Sequence, residues 1–305
     1  MDGGVTLCSR TETASRWIGR ALAACVVAAP AMAGATSLDL YYERTVMRVA
    51  DARCGLFPAS VGAALDASRA QARGAALRAG IGKSQLITAE QHAQARAGAV
   101  ACDSADMKLA AGRVRKAFEG YSKLIRMDYP GDQTAWRADR SVSVKGARWR
   151  LTQWQTDGAG RMIFGLAGRD GVDALMAVIG FTDGRSPYGA RLAMRDDRIT
   201  VGPYLNSKGQ TLAKTPLAQR LSPTGTQIAF QAQARSLAAD DLRPKDMKTA
   251  WAFRFSSQAA QALAGLDPRE AIAVDFLFAD DSARRIYVEV GDFAAGRAFL
   301  QVAAR

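Results

Sequence analysis

The chain has 305 residues, of which 49% are hydrophobic and 23% charged, the balance of a globular protein and not of a disordered one. Its formal net charge of +12 points toward anionic partners, and a single histidine, His92, excludes His-rich zinc sites, His-Glu-x-x-His helices and two-His iron sites.

The first 33 residues read as a cleavable export signal. Arg10, Arg16 and Arg20 form a positive segment, Ala21 to Ala29 an apolar one, and Ala31-Met32-Ala33 a small-x-small cleavage site. A second reading takes Leu22-Ala23-Ala24-Cys25 as a lipobox with a lipidated Cys25, but Cys25 lies too close to Arg20 to leave room for an apolar segment. A third, a buried N-terminal helix, sits poorly with three arginines before an uncharged Ala/Val run. The mature chain of roughly 270 residues is large enough to bury a core and is expected in the periplasm or outside the cell. Its later apolar runs fall short of the ~20 residues a membrane span needs, so no span is expected after cleavage. Cys8 and Cys25 would leave with the signal. Cys54 and Cys102 remain as an even pair in an oxidising compartment, and a disulfide between them is expected, with two unpaired thiols as the alternative.

From residue 34 to 127 the pattern is helical, and four helices are the natural count. The first, about 38 to 53, carries Tyr42, Val46, Val49 and Ala50 on one stripe; the second has Pro58 in its first turn and stops at Gly80. Thr88 and Gln91 suggest a capping box opening the third helix. Asp103 or Ser104 caps the fourth, which spaces Met107, Ala110, Val114, Phe118, Tyr121 and Leu124 at helical intervals. Short connections make an up-down bundle that brings Cys54 and Cys102 to one end.

Residues 128–135 break this period and read as a linker. Beyond them, 136–305 alternates with period two: strands are expected at about 146 to 155, 161 to 167, 173 to 181, 189 to 195 and 198 to 202. A long loop follows at 203–225. Then come strands marked by Trp251, Phe253 and Phe255, by Ile272 to Phe278 and by Ile286 to Val290, with a short helix at about 257 to 265 and a closing helix capped by Asp292. The expected fold class is therefore α+β: an N-terminal antiparallel helical bundle with a disulfide, then a C-terminal antiparallel β-rich, sandwich-like domain with two short helices.

Little in the chain signals chemistry. Gly-x-Ser-x-Gly, Ser-x-x-Lys with Lys-Thr-Gly, Cys-x-x-Cys and phosphate-cradling glycine loops are all absent. No catalytic residue, cofactor or metal ligand is assigned. The visible acid pairs, Asp196-Asp197, Asp240-Asp241 and Asp280-Asp281, fall where turns or caps are expected. His92, beside Gln91 and Gln94, reads as a surface residue.

Two basic segments stand out as binding candidates. Between Trp136 and Trp154, Arg137, Arg140, Lys145, Arg148 and Arg150 face only Asp139, and strict alternation would place Arg148, Arg150 and Trp154 on one face with Trp149 and Leu151 on the other. Such a face suits sugar rings or anionic head groups. From Arg198 to Ala239 there is no Asp or Glu, and the loop within it carries Lys208, Lys214 and Arg220. Nucleic acid would fit the same chemistry but not the compartment.

The final stretch, Ala262 to Leu266, Ile272 to Phe278, Ile286 to Val290 and Gly291 to Leu300, resembles the C-terminal part of the invasion-associated locus B family over about 40 residues. The resemblance implies a β-rich envelope protein and assigns no site residue. The sequence reading is an exported envelope protein, non-enzymatic, that binds an anionic envelope lipid or polymer, or a protein partner. The alternative is a cell-wall hydrolase using a carboxylate pair. A purely structural protein that self-associates through its Ala-rich helices is a third reading.

Overall fold

The computed structural model describes residues 36–141, 146–169, 172–206 and 208–302; the expected signal and Cys25 lie outside them. Residues 35–305 form one compact unit. Among the described residues four helices come first: α1 (Ser37–Cys54), α2 (Ala59–Arg78), α3 (Lys83–Ala99) and α4 (Ala105–Ser122). Thr36 and Asp39 cap the start of α1 reciprocally, and Gly55, in the left-handed region at φ 61°, ends it. The start of α3 differs from the expected capping box. Gln85 accepts from the Gly82 N–H at 2.9 Å, so the helix is capped six residues before Thr88, whose hydroxyl instead donates to the Ser84 carbonyl within the helix. Ser104 caps α4 through the Met107 N–H.

The disulfide is present: Cys54 at the end of α1 meets Cys102 just after α3, with Cα atoms 5.6 Å apart. α1 lies against both α2 and α3, whereas α4 meets α2 along a narrower strip.

Among the described residues eleven strands follow, all paired antiparallel. A seven-stranded sheet runs β1 (Arg126–Tyr129), β2 (Trp136–Asp139), β3 (Arg148–Asp157), β4 (Gly160–Arg169), β5 (Val172–Phe181), β9 (Trp251–Arg254), β8 (Ala234–Leu237). A four-stranded sheet runs β11 (Ala283–Glu289), β10 (Ala271–Leu277), β6 (Gly189–Arg195), β7 (Gln227–Gln231). Their facing side chains form one continuous core with α5 (Ser257–Gly265) and α6 (Phe293–Gln301), centred on Phe164, Phe253, Phe276 and Phe299. Sheets stacked in this way are a sandwich. The outer side of the large sheet is covered by 238–250, where Leu242 and Ala250 pack on Ala167, Val178 and Trp149.

Several sequence expectations change here. The expected linker 128–135 holds the end of β1 and a loop tied into the core, so the helices join the sandwich directly. The stretch 198–202 is not a strand, and the ladder partner of β6 is β7. The long loop 203–225 contains short 3-10 turns at Leu212–Lys214 and Leu217–Gln219. Asp292 makes no capping bond; it turns to Arg78 of α2.

Two glycines are fixed by close approach. A Cβ at Gly74 of α2 would lie 2.0 Å from Asp292 Oδ1, so only glycine lets α2 reach α6. Gly165, at φ 151°, would place a Cβ 1.8 Å from the Leu151 carbonyl, beside a bulge in β3.

Candidate functional site

The expected basic face does not exist as one surface, and the bulge is the first reason. Pairing of β3 with β4 shifts between Trp149 and Leu151, leaving Arg150 as the extra residue. Trp149 therefore packs on the outer side of the large sheet and Leu151 in the core between sheets, not together as alternation required. Arg150 is buried and donates to the Ser141 carbonyl at 3.1 Å.

Arg140 is also buried, which corrects its place in a binding face. It donates to the Tyr121 and Val302 carbonyls, each at 2.8 Å, and stacks over the Phe299 ring at 3.8 Å. Its role is to close the C-terminal end of α4 against α6. Arg148 pairs with Asp139 at 3.1 Å and Arg137 with Asp128 at 3.2 Å. Lys145 lies outside the described residues. Of the expected face, Arg137 and Trp154 keep their exposure, Trp154 at 53%.

In the acid-free loop, Lys208 and Lys214 are exposed and without ion pairs among the described residues. Arg220 is fully buried, which removes it from any surface. It donates to Glu289 at 2.7 Å and to the Arg269 carbonyl at 2.6 Å, pinning the loop to the core.

Around Arg220 lies the main convergence of carboxylates. Glu289, fully buried, accepts from the N–H groups of Asp132, Gln133 and Thr134 at 2.6 to 2.9 Å. Burial raises the Asp132 carboxyl, with the nearby Glu289 adding to the shift and Arg220 opposing it. Burial pushes Asp292 up to about 6, against the pull of Arg78. Glu289 and Asp292 are enclosed, so this cluster offers no open pair of carboxylates to a substrate. The acid pairs seen in sequence serve turns: Asp196 holds Arg198, and Asp280 holds Arg185 and Ser282. Asp240 and Asp241 lie in a 3-10 turn.

The arginines of the β-rich part give the clearest indication of a site. Arg191 and Arg285 clamp Asp275, Arg195 pairs with Glu270, Arg269 with Asp267, and Arg284 with Asp183. Others, such as Arg140, Arg150 and Arg235, donate to carbonyls. Arg254 is the exception: among the described residues its guanidinium has neither an ion pair nor a hydrogen bond. Arg297 has only a 3.5 Å contact to the Ala260 carbonyl. Both line the same cleft of about 450 Å³, between the β4, β5 and β9 ends and helices α5 and α6. Leu166, Leu175, Phe255 and Leu300 supply apolar wall; Gln233 and Ser257 supply hydrogen-bonding groups, and no carboxylate lines it.

Sequence reading passed over this cleft because its two arginines stand 43 positions apart in ordinary strand and helix contexts. The one available signal was Arg254 on the face of its strand opposite Trp251, Phe253 and Phe255. No protein family matches the chain, and neither a curated protein nor a solved structure matches it. The C-terminal likeness to the invasion-associated locus B family thus rests on its hydrophobic pattern alone. Among the described residues no helix is long and apolar enough to cross a membrane, and no group of His, Cys, Asp or Glu has the arrangement of a metal site.

Proposed function

We propose that this is an exported, non-enzymatic binding protein of the cell envelope that takes an anionic group of an envelope lipid or polymer into the cleft between Arg254 and Arg297. The observation that carries the reading is the meeting in one concavity of Arg254, without a side-chain partner among the described residues, and Arg297, held only by a 3.5 Å contact to the Ala260 carbonyl, in a β-rich part whose other arginines are tied to carboxylates or carbonyls. An unpaired guanidinium presents a planar fork of donors suited to carboxylate or phosphate, and the apolar wall suits whatever carries that group. Export is supported by the N-terminal 33 residues as a signal and by the Cys54–Cys102 disulfide, which is consistent with an oxidising compartment.

The test is retention of the secreted protein on purified peptidoglycan, on phosphatidylglycerol vesicles and on phosphatidylcholine vesicles. The comparison is an Arg254→Gln/Arg297→Gln variant. Retention on one of the two anionic materials, lost in the variant and weakened between low and physiological salt, is the expected result. Retention untouched by the double substitution would remove the cleft from the account.

A further inference from the structure

We infer that the helical layer contains a second, separate site: a groove between α1, α2 and α4 that takes a single acyl chain ending in an anionic group. The incomplete burial of α4 is the starting point. Its apolar stripe runs Met107, Ala110, Val114, Phe118, Tyr121, yet only Met107 and Phe118 are buried; Ala110, Val114 and Tyr121 stay partly open. A stripe of this kind is normally covered by neighbouring helices. Here α4 meets α2 along a narrow strip, and the uncovered part faces two adjoining cavities.

One cavity, of about 340 Å³, lies between α2 and α4 and is walled by Val61, Leu65, Ala117 and Phe118. The other, of about 330 Å³, lies between α1 and α4 and is walled by Tyr42, Val46, Met47 and Ala110. They share Arg113 and Val114. Together they follow α4 from Ala110 to Tyr121, about three turns or ~16 Å of helix. From Arg113 toward Tyr121 the first cavity runs along about two turns of α4, with Val61, Leu65, Val114, Ala117 and Phe118 as its apolar wall. That matches a single alkyl chain better than a compact ring.

Charge then selects the head group. Arg113, at the junction, has no ion pair or hydrogen bond among the described residues, and neither has Arg96 at the rim of the second cavity. Arg44 lines the first cavity and donates to the Ser68 carbonyl at 2.6 Å. Glu43 is the one carboxylate lining either cavity. A chain lying in the α2–α4 cavity with its end at the junction would bring a terminal carboxylate to Arg113, while an uncharged alcohol would gain only the apolar burial.

The test uses the full secreted chain, stripped of lipid, and the fluorescence of dansylated undecanoic acid. Dodecanoate should displace the probe, with dodecanol roughly ten-fold weaker and inorganic phosphate ineffective, as expected when a charge-assisted hydrogen bond is lost or the chain is missing. Ala117→Trp, which fills the groove from its exposed rim on α4, should abolish probe binding. Arg113→Gln should weaken it roughly ten-fold and erase the preference for dodecanoate over dodecanol. The Arg254→Gln/Arg297→Gln variant should bind the probe as the parent does, which separates this site from the cleft. Binding unaltered in either groove variant, or binding lost in the cleft variant, overturns the inference.

Discussion

The helical layer and the sandwich solve the same problem by different means. The sandwich buries one continuous core of aromatic and branched side chains and ties its charged residues into pairs, several of them fully enclosed. The helical layer is rich in alanine, divides its apolar residues among separate small clusters, and is closed by a disulfide. Small side chains bury little area each, so the helices gain less from packing and rely more on the cross-link and on α2 lying against α6. The lesson is that the open space of this molecule follows from its composition. The groove lies where alanine-rich helices fail to fill the volume between them, and the cleft where α5 and α6 end against the sheet.

That contrast can be broken most forcefully at Glu289. Glu289→Ala would leave the buried Arg220 with only the longer Asp132 ion pair at 3.3 Å and three backbone N–H groups without their acceptor. A loss of about 3–5 kcal/mol in urea unfolding is expected, with the whole sandwich transition affected. A loss below about 1 kcal/mol would show the cluster to be dispensable.

The disulfide tests the other half. Cys54→Ala/Cys102→Ala should cost about 2–4 kcal/mol, and hydrogen exchange should locate the loss in α1 and α3 while β4, β5 and β10 stay protected. Equal loss of protection in the sandwich would mean that the two layers unfold as one. Thiol labelling of the denatured, unreduced parent protein should find neither Cys54 nor Cys102 free.

Asp292 sits at the seam between layers and gives that seam a pH dependence. Its carboxyl is raised from 3.8 to about 6 by burial, so the folded state holds this proton more tightly than the unfolded chain. The stabilising contribution is complete below about 3.8 and is lost as pH rises through about 6. Asp275 has the opposite sign: burial is outweighed by Arg285 and Arg191, its carboxyl is lowered, and its contribution is lost as pH falls. Asp292→Asn should flatten the decline in stability between pH 4 and 7, measured by thermal unfolding. An unchanged slope would place the titration elsewhere.

The smallest effect is expected at the surface. Arg137→Gln breaks a pair in which both side chains are mostly exposed and should change stability by less than about 1 kcal/mol. Set against Glu289→Ala, it measures how far burial, and not the presence of a pair, decides the value of an arginine.

Local features were legible in sequence wherever the cause was itself local. The period of the four helices, a cap at Asp103 or Ser104, the helix at 257–265 and the strands through Ile272 and Ile286 follow from residues a few positions apart. The strands β7 and β8 were not legible, since both are short and lie at sheet edges where Ile228, Phe230 and Leu237 are only partly covered. The candidate site was less legible still. Arg137, Arg140, Arg148, Arg150 and Arg220 look alike in sequence, yet they differ from an exposed pair to a fully enclosed guanidinium.

By itself, then, the sequence determined the α+β order, the helical and alternating periods and the cysteine pairing, because each depends on spacing along one segment or on the supply of partners. Tertiary structure decided which arginines are free. Arg220 is consumed by Glu289, 69 residues away, and Arg140 by the Val302 carbonyl, 162 residues away. Within the β-rich part, Arg254 is left without a side-chain partner among the described residues and Arg297 with only the Ala260 carbonyl at 3.5 Å. Whether a guanidinium is a structural tie or a binding group depends on which carboxylates and carbonyls the fold brings within about 3 Å of it, and that distance is set by contacts between segments remote in the chain.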